Sequence, residues 1–340
     1  MRLSDFDYEL PDDLIAQEPL PYRDASRLMV IHRAQHHIEH KRFRDIVDYL
    51  DNGDLLVLNE TKVLPVRLLG HKKGTGGRVE VLLLHPAGDD CWECLVRPGR
   101  RLRPGAIVVF GPGLEGEVID YTESGGRIVR FRYEGSFEEL LARMGQVPLP
   151  PYIKKPLQDR ERYQTVYARK TGSAAAPTAG MHFTEDLIAS LKSKGVQTAT
   201  LTLHIGLDTF RPVKVEDITK HKMHKEYYEI SEQTSELINK AKRDKRRVIA
   251  VGTTTTRCLE AAAGCDGFVR PGSGWTDLFI YPGYRFKIID ALLTNFHLPR
   301  STLLMMVSAF ASRDLIMHAY HVAVKEKYRF FSFGDAMLII

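Results

Sequence analysis

The rhythm of hydrophobic and polar positions changes twice along this chain. In the first part, a short helix predicted over Phe43 to Leu50 and the turn Asp51-Asn52-Gly53-Asp54 precede Leu55-Leu56-Val57-Leu58. Four apolar residues in a row behind a turn predict a buried strand, which delivers Asn59-Glu60-Thr61-Lys62 at its end. From Pro65 to Val147 the apolar runs become short and are punctuated by glycine and proline: Val66 to Leu69, Val79 to Leu84, Trp92 to Val96, Ile107 to Phe110, Gly116 to Ile119 and Ile128 to Tyr133. Six such strands without a long helix predict a small barrel or sandwich. A brief helix over Ser136 to Met144 then leads to Pro148-Leu149-Pro150-Pro151, which reads as a return linker.

Beyond Tyr152 the helical and extended patterns alternate. Helices are predicted at Glu185 to Lys194, Glu232 to Arg243, Arg257 to Ala263 and Thr302 to Ala311, and strands at Thr198 to Ile205, Val248 to Val251 and Phe286 to Leu292. Alternation of this kind predicts a layered α/β (α+β) domain with a mixed sheet. The expected organisation is therefore discontinuous. Residues 1–64 and 151–340 form the α/β domain that carries the candidate chemistry, and residues 65–150 form an inserted six-stranded, all-β, barrel-like domain.

Composition narrows the class without naming a function. Apolar residues at 44% and charged residues at 27% of 340 exclude disordered, collagenous and coiled-coil chains. Acids stand at Asp5 and Asp7 where a secretory peptide has its apolar core, and the uncharged run Ser301 to Ser312 is too short to span a bilayer, so a soluble, cytoplasmic protein is expected. No long exposed apolar stripe is evident, which points to a monomer. Cys91 and Cys94 are a close pair within a predicted strand and lack further ligands at zinc spacing; no metal is expected. The net charge of +5 is mild but locally concentrated in Arg97-Pro98-Gly99-Arg100-Arg101-Leu102-Arg103 and in Lys240 to Arg247. Either run is dense enough to hold a phosphate backbone if its charges face one way, although such runs are more often solvated faces.

Five segments combine residue types that suit chemistry. The run from Gly172 through Ser173, Pro177, Thr178 and Gly180 to His182 is small and uncharged, as a backbone is when it must approach a ligand, and Thr184 stands where it caps a helix opening on Glu185 and Asp186. Val248 to Val251 runs through Gly252 into Thr253, Thr254, Thr255, Thr256 and Arg257, a strand-to-helix turn whose free N–H groups favour an anion but which lacks the lysine and spacing of a nucleotide-triphosphate loop. His204 ends an alternating strand beside Gly206 and Asp208, at the edge of an α/β sheet where ligands gather. His221 and His224 are three apart, a spacing that suits one helix face, yet their lysine neighbours disfavour a cation. Finally, Trp275, Asp277, Tyr281, Asn295 and His297 bring aromatic faces and amide edges to loops beside strands, which suits recognition of a flat base or an onium group.

Taken together these segments resemble the S-adenosylmethionine:tRNA ribosyltransferase-isomerase (QueA) family of the queuosine pathway. The resemblance runs end to end. It rests on Ala16-Gln17-Glu18-Pro19-Leu20, Arg23-Asp24-Ala25-Ser26-Arg27-Leu28, Pro151-Tyr152-Ile153-Lys154-Lys155, Glu161 to Tyr167, the Gly172 to Glu185 loop, the four-threonine turn and Tyr328 to Met337. It implies transfer and isomerisation of the ribosyl portion of S-adenosylmethionine onto 7-aminomethyl-7-deazaguanine (preQ1) at the tRNA wobble position, giving epoxyqueuosine with release of adenine and methionine. S-adenosylmethionine is then a consumed substrate, not a cofactor. Such chemistry asks for a base beside the sulfonium, an acid for the departing adenine and a grip on the amino-acid end. His204 or His182 is expected to move the proton, Gly252 to Thr256 to hold the methionine carboxylate or a tRNA phosphate, Trp275 or Tyr281 to stack, and Asn59, Thr61, Asn295 and His297 to line the site. The chain departs from the family in Glu60, where aspartate is common, and in Asp208, where glycine is common. Two other classes compete: an RNA methyltransferase using the same donor, whose glycine-rich nucleotide loop is not visible here, and a non-catalytic RNA-binding protein, which leaves the small-residue loop unexplained.

Overall fold

Among residues 1–122, 125–206 and 213–340, which the computed structural model describes, the strands in chain order are β1 (Arg27–His32), β2 (His37–Arg42), β3 (Leu55–Asn59), β4 (Thr61–Val63), β5 (Arg67–Lys72), β6 (Arg78–Pro86), β7 (Cys91–Arg97), β8 (Ile107–Gly111), β9 (Leu114–Tyr121), β10 (Arg127–Tyr133), β11 (Lys170–Ser173), β12 (Gln197–Leu203), β13 (Glu226–Ile230), β14 (Val248–Val251), β15 (Gly272–Thr276), β16 (Ala291–Asn295) and β17 (Ala336–Ile339). The α-helices are α1 (Phe137–Met144), α2 (Glu185–Ser193), α3 (Glu232–Arg243), α4 (Thr253–Ala261), α5 (Thr302–Phe310) and α6 (Arg313–Lys325). The chain divides into a larger unit, Met1–Lys62 with Pro151–Lys170 and Ala176–Ile340, and a smaller one, Val63–Pro150 with Thr171–Ala175.

The larger unit is built on a nine-stranded mixed sheet in the order β15-β13-β12-β3-β14-β16-β17-β1-β2. Its centre, β12-β3-β14-β16, is parallel throughout. Leu56 and Leu58 of β3, Ile249 and Val251 of β14, and Ala291 and Leu293 of β16 share one face, packed against Leu187 and Leu191 of α2 and against Phe43 and Ile46. Their alternating neighbours Leu55, Val57, Val248 and Ala250 are equally buried, so the strands are covered on both faces and read as continuous apolar runs. Each buried valine, leucine or isoleucine among them contributes roughly 1.5–3 kcal/mol by leaving water. The smaller unit is a closed antiparallel barrel, β10-β7-β6-β5-β8-β9, filled by Leu68, Val79, Val81, Leu83, Val118, Val129 and Phe131 and closed by Phe137, Leu140 and Leu141 of α1. A mixed-sheet α/β unit together with a separate closed six-stranded barrel is the expected fold class.

The short helix expected at Phe43 to Leu50 is present as a 3-10 helix, Phe43–Tyr49. Three local expectations are corrected. α4 begins at Thr253, four residues before the predicted Arg257, because the hydroxyls of Thr255 and Thr256 donate to the carbonyls of Val251 (2.6 Å) and Gly252 (3.2 Å) and so enter the helix satisfied. β16 begins at Ala291 and not Phe286, because the buried Glu260 carboxylate accepts the N–H groups of Lys287 (2.9 Å), Ile288 (3.0 Å) and Ile289 (3.3 Å), donors that a ladder would need. Glu226 and Tyr227, next to the histidines read as one helix face, belong to β13, which pairs with β12 and β15. β1, β2, β15, β17 and α6 had no clear signal; β2 is a polar edge strand, His-Ile-Glu-His-Lys-Arg, held by antiparallel pairing with β1.

Candidate active site at the carboxyl edge of the sheet

Parallel strands place their carboxyl ends along one edge, where an open α/β sheet gathers ligands. Here β12, β3, β14 and β16 end there at Leu203, Asn59, Val251 and Asn295, and the register aligns Leu201 with Asn59 and Val251 with Leu293. Asn59 joins three of the four chain segments. Its Nδ2 donates to the Leu203 carbonyl (3.0 Å) and to Thr254 Oγ1 (3.4 Å), and its Oδ1 accepts from the N–H groups of Thr61 (3.1 Å) and Leu203 (3.1 Å). With both amide ends engaged, Asn59 fixes how β3, β12 and the start of α4 sit together.

His204 follows β12 directly, its N–H donating to the Tyr227 carbonyl (2.9 Å). Its imidazole Nδ1 lies 2.8 Å from Thr61 Oγ1 and its ring stacks on Tyr227 at 5.8 Å and 19°. Tyr227 in turn meets Trp275 edge to face at 5.7 Å, and Trp275 is 65% exposed. Burial lowers the pKa of His204 below the ordinary histidine value, while Glu229 and Lys170, paired with each other at 2.7 Å, pull in opposite directions. The ring is neutral near pH 7. Nε2 has no partner among the described residues, and in the tautomer whose Nδ1–H donates to Thr61 it keeps its lone pair.

His182 is in a different state. Asn295 Nδ2 lies 3.0 Å from its Nε2, and the same amide nitrogen faces the carbonyls of Phe331 (3.2 Å) and Asp335 (3.4 Å), which identifies it as a donor. His182 Nε2 is therefore the acceptor, and Nδ1–H donates to Ser26 Oγ at 2.8 Å. The ring is 5% exposed and stacks on Phe43 at 4.9 Å. Burial, with Arg23 and Arg329 adding like charge, pushes its pKa down to about 3. Both ring nitrogens are used, so His182 anchors the segment Thr178–His182 and has no lone pair left over.

That segment lies against the same edge. Thr178 Oγ1 donates to Asn295 Oδ1 (3.0 Å), and a Cβ on Gly252 would stand 3.7 Å from Ala179 Cβ. Gly252 has φ +92°, the left-handed region that favours glycine, and at Gly180 an added Cβ would fall 1.9 Å from Tyr167 Oη. Thr184 caps α2 by accepting from Leu187 N at 3.1 Å. Thr253 to Thr256 are all buried, and the first N–H groups of α4 have no intrahelical acceptor. Pro177 is buried in the larger unit; Ser173 belongs to the smaller one, where its hydroxyl donates to the Ala175 carbonyl at 2.7 Å.

Other anticipated residues have different surroundings. Arg257 is buried in an ion pair with Glu226 and also donates to the Leu278 carbonyl at 3.0 Å. Although burial favours the neutral acid, His224 at 3.2 Å and Arg257 hold the Glu226 carboxyl below its ordinary value. His297 is buried, its Nε2 3.1 Å from Thr294 Oγ1 and its N–H and carbonyl bonded to Tyr320 and Tyr8, and burial lowers its pKa to about 3. Tyr281 packs on Phe279 at 5.0 Å, Asp277 is exposed, and Asp208 lies outside the described residues. Among the described residues no group of three or more His, Cys, Asp or Glu has a metal-binding arrangement. The sequence reading passed over Tyr227, Ser26 and Phe43. Glu-Tyr-Tyr-Glu carried a weak strand signal for Tyr227; nothing local marked the other two as partners of His182.

Residues 3–339 match the family described as queuosine biosynthesis protein. The chain is 62% identical to the S-adenosylmethionine:tRNA ribosyltransferase-isomerase of Pelotomaculum thermopropionicum and 61% identical to that of Symbiobacterium thermophilum, each over 341 residues and 100% of both chains. A crystal structure of S-adenosylmethionine tRNA ribosyltransferase from Thermotoga maritima is similar with a TM-score of 0.58 and 43% identity, covering 99% of this chain and 100% of that one.

Proposed function

The chain belongs to the queuosine biosynthesis protein family, and from that premise we propose that it is an S-adenosylmethionine:tRNA ribosyltransferase-isomerase whose chemistry lies at the carboxyl edge of the nine-stranded sheet. Full-length identity of 62% to an enzyme of that name carries the reaction. The ribosyl portion of S-adenosylmethionine passes to the aminomethyl arm of preQ1 at the tRNA wobble position and is isomerised to the epoxycyclopentanediol of epoxyqueuosine, with adenine and methionine leaving. S-adenosylmethionine is consumed as a substrate. We read the enzyme as cytoplasmic and as a monomer, since few large apolar side chains among the described residues are exposed: Met1, Tyr22, Leu69, Tyr121, Tyr133 and Trp275. No helix among the described residues is long and apolar enough to cross a membrane.

The division of labour follows from hydrogen bonding. His204 is the proton-transfer base: it is neutral, held by Thr61 and Tyr227, and keeps Nε2 open. His182 is a positioning residue that, through Asn295, fixes the segment against Gly252. The turn after Gly252 receives the methionine carboxylate on the free N–H groups of Thr253 and Thr254, the Gly252 N–H being taken by the Leu293 carbonyl (2.7 Å); burial of all four threonines suits a small carboxylate better than an RNA phosphate. Trp275 stacks a nucleobase, because it is exposed where Tyr281 is packed on Phe279. The deciding assay is incubation with S-adenosylmethionine and tRNA bearing preQ1. Release of adenine and methionine is expected; S-adenosylhomocysteine would mean methyl transfer, and tRNA binding without product would mean a binding module. Replacing His204 or His182 by Ala should lower turnover at least tenfold, but only the His204 variant should lose the pH dependence of the base.

A further inference from the structure

The two basic runs of the chain have different fates in the fold. In the run ending α3, Arg247 pairs with Asp54 and with Asp51 (3.0 Å), and Lys242 donates to the Ile288 carbonyl at 3.1 Å. Those two charges are tied within the larger unit, while Lys240, Arg243, Lys245 and Arg246 of the same run are exposed on its surface and line no such cleft. In the barrel, the turn after β5 and the segment before β8 instead enclose a cleft of about 810 Å³. It is lined by Lys72, Lys73, Arg100, Arg101 and Arg103, with Thr75 and several glycines, and by no acidic residue. Arg127, from β10, shapes this surface: its buried guanidinium donates to the carbonyls of Gly99 (2.8 Å) and Leu102 (2.7 Å), pinning both ends of the segment that carries Arg100 and Arg101. Lys72 donates to the Arg101 carbonyl (3.1 Å), and Lys73 is met by Glu115 from outside the lining (3.0 Å). The guanidinium groups of Arg100, Arg101 and Arg103 are exposed and have no acceptor among the described residues.

Three guanidiniums without an acceptor among the described residues, gathered with two lysines in one cleft whose lining has no acid, are a poor arrangement for a protein alone, since like charges repel. They are complementary to a run of phosphates. A Cβ at Gly74 or Gly76 would meet nothing within 4 Å, so the turn leaves its backbone open to a bulky partner. We infer that this cleft of the barrel grips the sugar-phosphate backbone of the tRNA, away from the reacting base, and supplies affinity without reading sequence. This rests on tRNA being the substrate.

The test compares tRNA binding, by filter retention over a range of KCl concentrations, for the wild type, for Arg100→Gln/Arg101→Gln/Arg103→Gln, and for Lys192→Gln/Lys240→Gln/Lys245→Gln, which removes the same charge from exposed sites of the larger unit. The arginine variant should bind at least tenfold more weakly at ~0.1 M salt, with the slope of log K against log salt reduced by about 2 to 3. The lysine variant should stay within twofold. Equal losses in both variants, or an arginine variant within twofold of wild type, overturn the inference. If the triple variant does not fold, the single changes Arg100→Gln and Arg103→Gln should each lower the slope by about 0.7 to 0.9, and an unchanged slope in both overturns it as well. Binding needs no turnover, so the cleft is judged whether or not adenine is released. Where it is released, the arginine variant should show a raised KM for tRNA with kcat retained.

Discussion

Acid should destabilise the larger unit through two buried histidines, starting well above the range in which ordinary carboxylates titrate. His182 and His297 are buried, neutral and lowered to about 3, in each case with burial as the leading cause. In the unfolded chain both return to about 6.5. A folded pKa below the unfolded one means that the unfolded state binds the proton first, so stability is full above pH ~6.5 and falls as the pH drops toward 3. From about pH 7.5 to about pH 5, each histidine removes about 2 kcal/mol, or about 4 kcal/mol together. Glu39, held at about 2 by Tyr49 and His32, contributes its loss only below pH ~4.5, outside this window. Asp335, raised by burial, acts with the opposite sign, which makes a variant comparison decisive. Urea unfolding followed by far-ultraviolet circular dichroism reports mainly on α2 to α6, all in the larger unit. His182→Asn should lose about 2 kcal/mol of the pH dependence over the same interval. A pH dependence unchanged in that variant, or a wild-type loss below about 1 kcal/mol, refutes the reasoning.

Three further outcomes follow from the site. The acid limb of kcat/KM for S-adenosylmethionine should have an apparent pKa below the ordinary histidine value, with activity falling as His204 gains a proton; His204→Asn should lose about 10²- to 10⁴-fold in kcat and flatten that limb. Trp275→Ala should weaken tRNA binding by about 1–3 kcal/mol in a titration and leave the urea midpoint in place, since the side chain is 65% exposed. Gly180→Ala should cost about 1–3 kcal/mol in urea unfolding because its methyl falls 1.9 Å from Tyr167 Oη, and adding Tyr167→Phe should recover part of it; no recovery in the double variant would mean that the strain lies elsewhere.

Most of the fold was legible because its strands are buried on both faces. Leu55-Leu56-Val57-Leu58 and Val248-Ile249-Ala250-Val251 are continuous apolar runs for that reason, and the barrel strands alternate because only one face fills the interior. Polar strands were not legible: β2 and β13 owe their extended state to partners in β1, β12 and β15, not to their own composition. The same limit governs the site. Small residues from Gly172 to Gly180, a glycine before four threonines and a histidine at a strand end are local patterns, and the chain alone places them on loops and element ends, along with the family resemblance they carry. Tertiary structure decided which histidine keeps an open nitrogen, because that depends on Ser26 and Asn295, 156 and 113 residues from His182. It also turned Arg257 inward to Glu226, tied Arg247 of one basic run to Asp51 and Asp54, and left the other run facing a cleft. Propensity and periodicity act over a few neighbouring residues, whereas a proton, a charge and a hydrogen bond are governed by whatever the fold brings within about 3 Å.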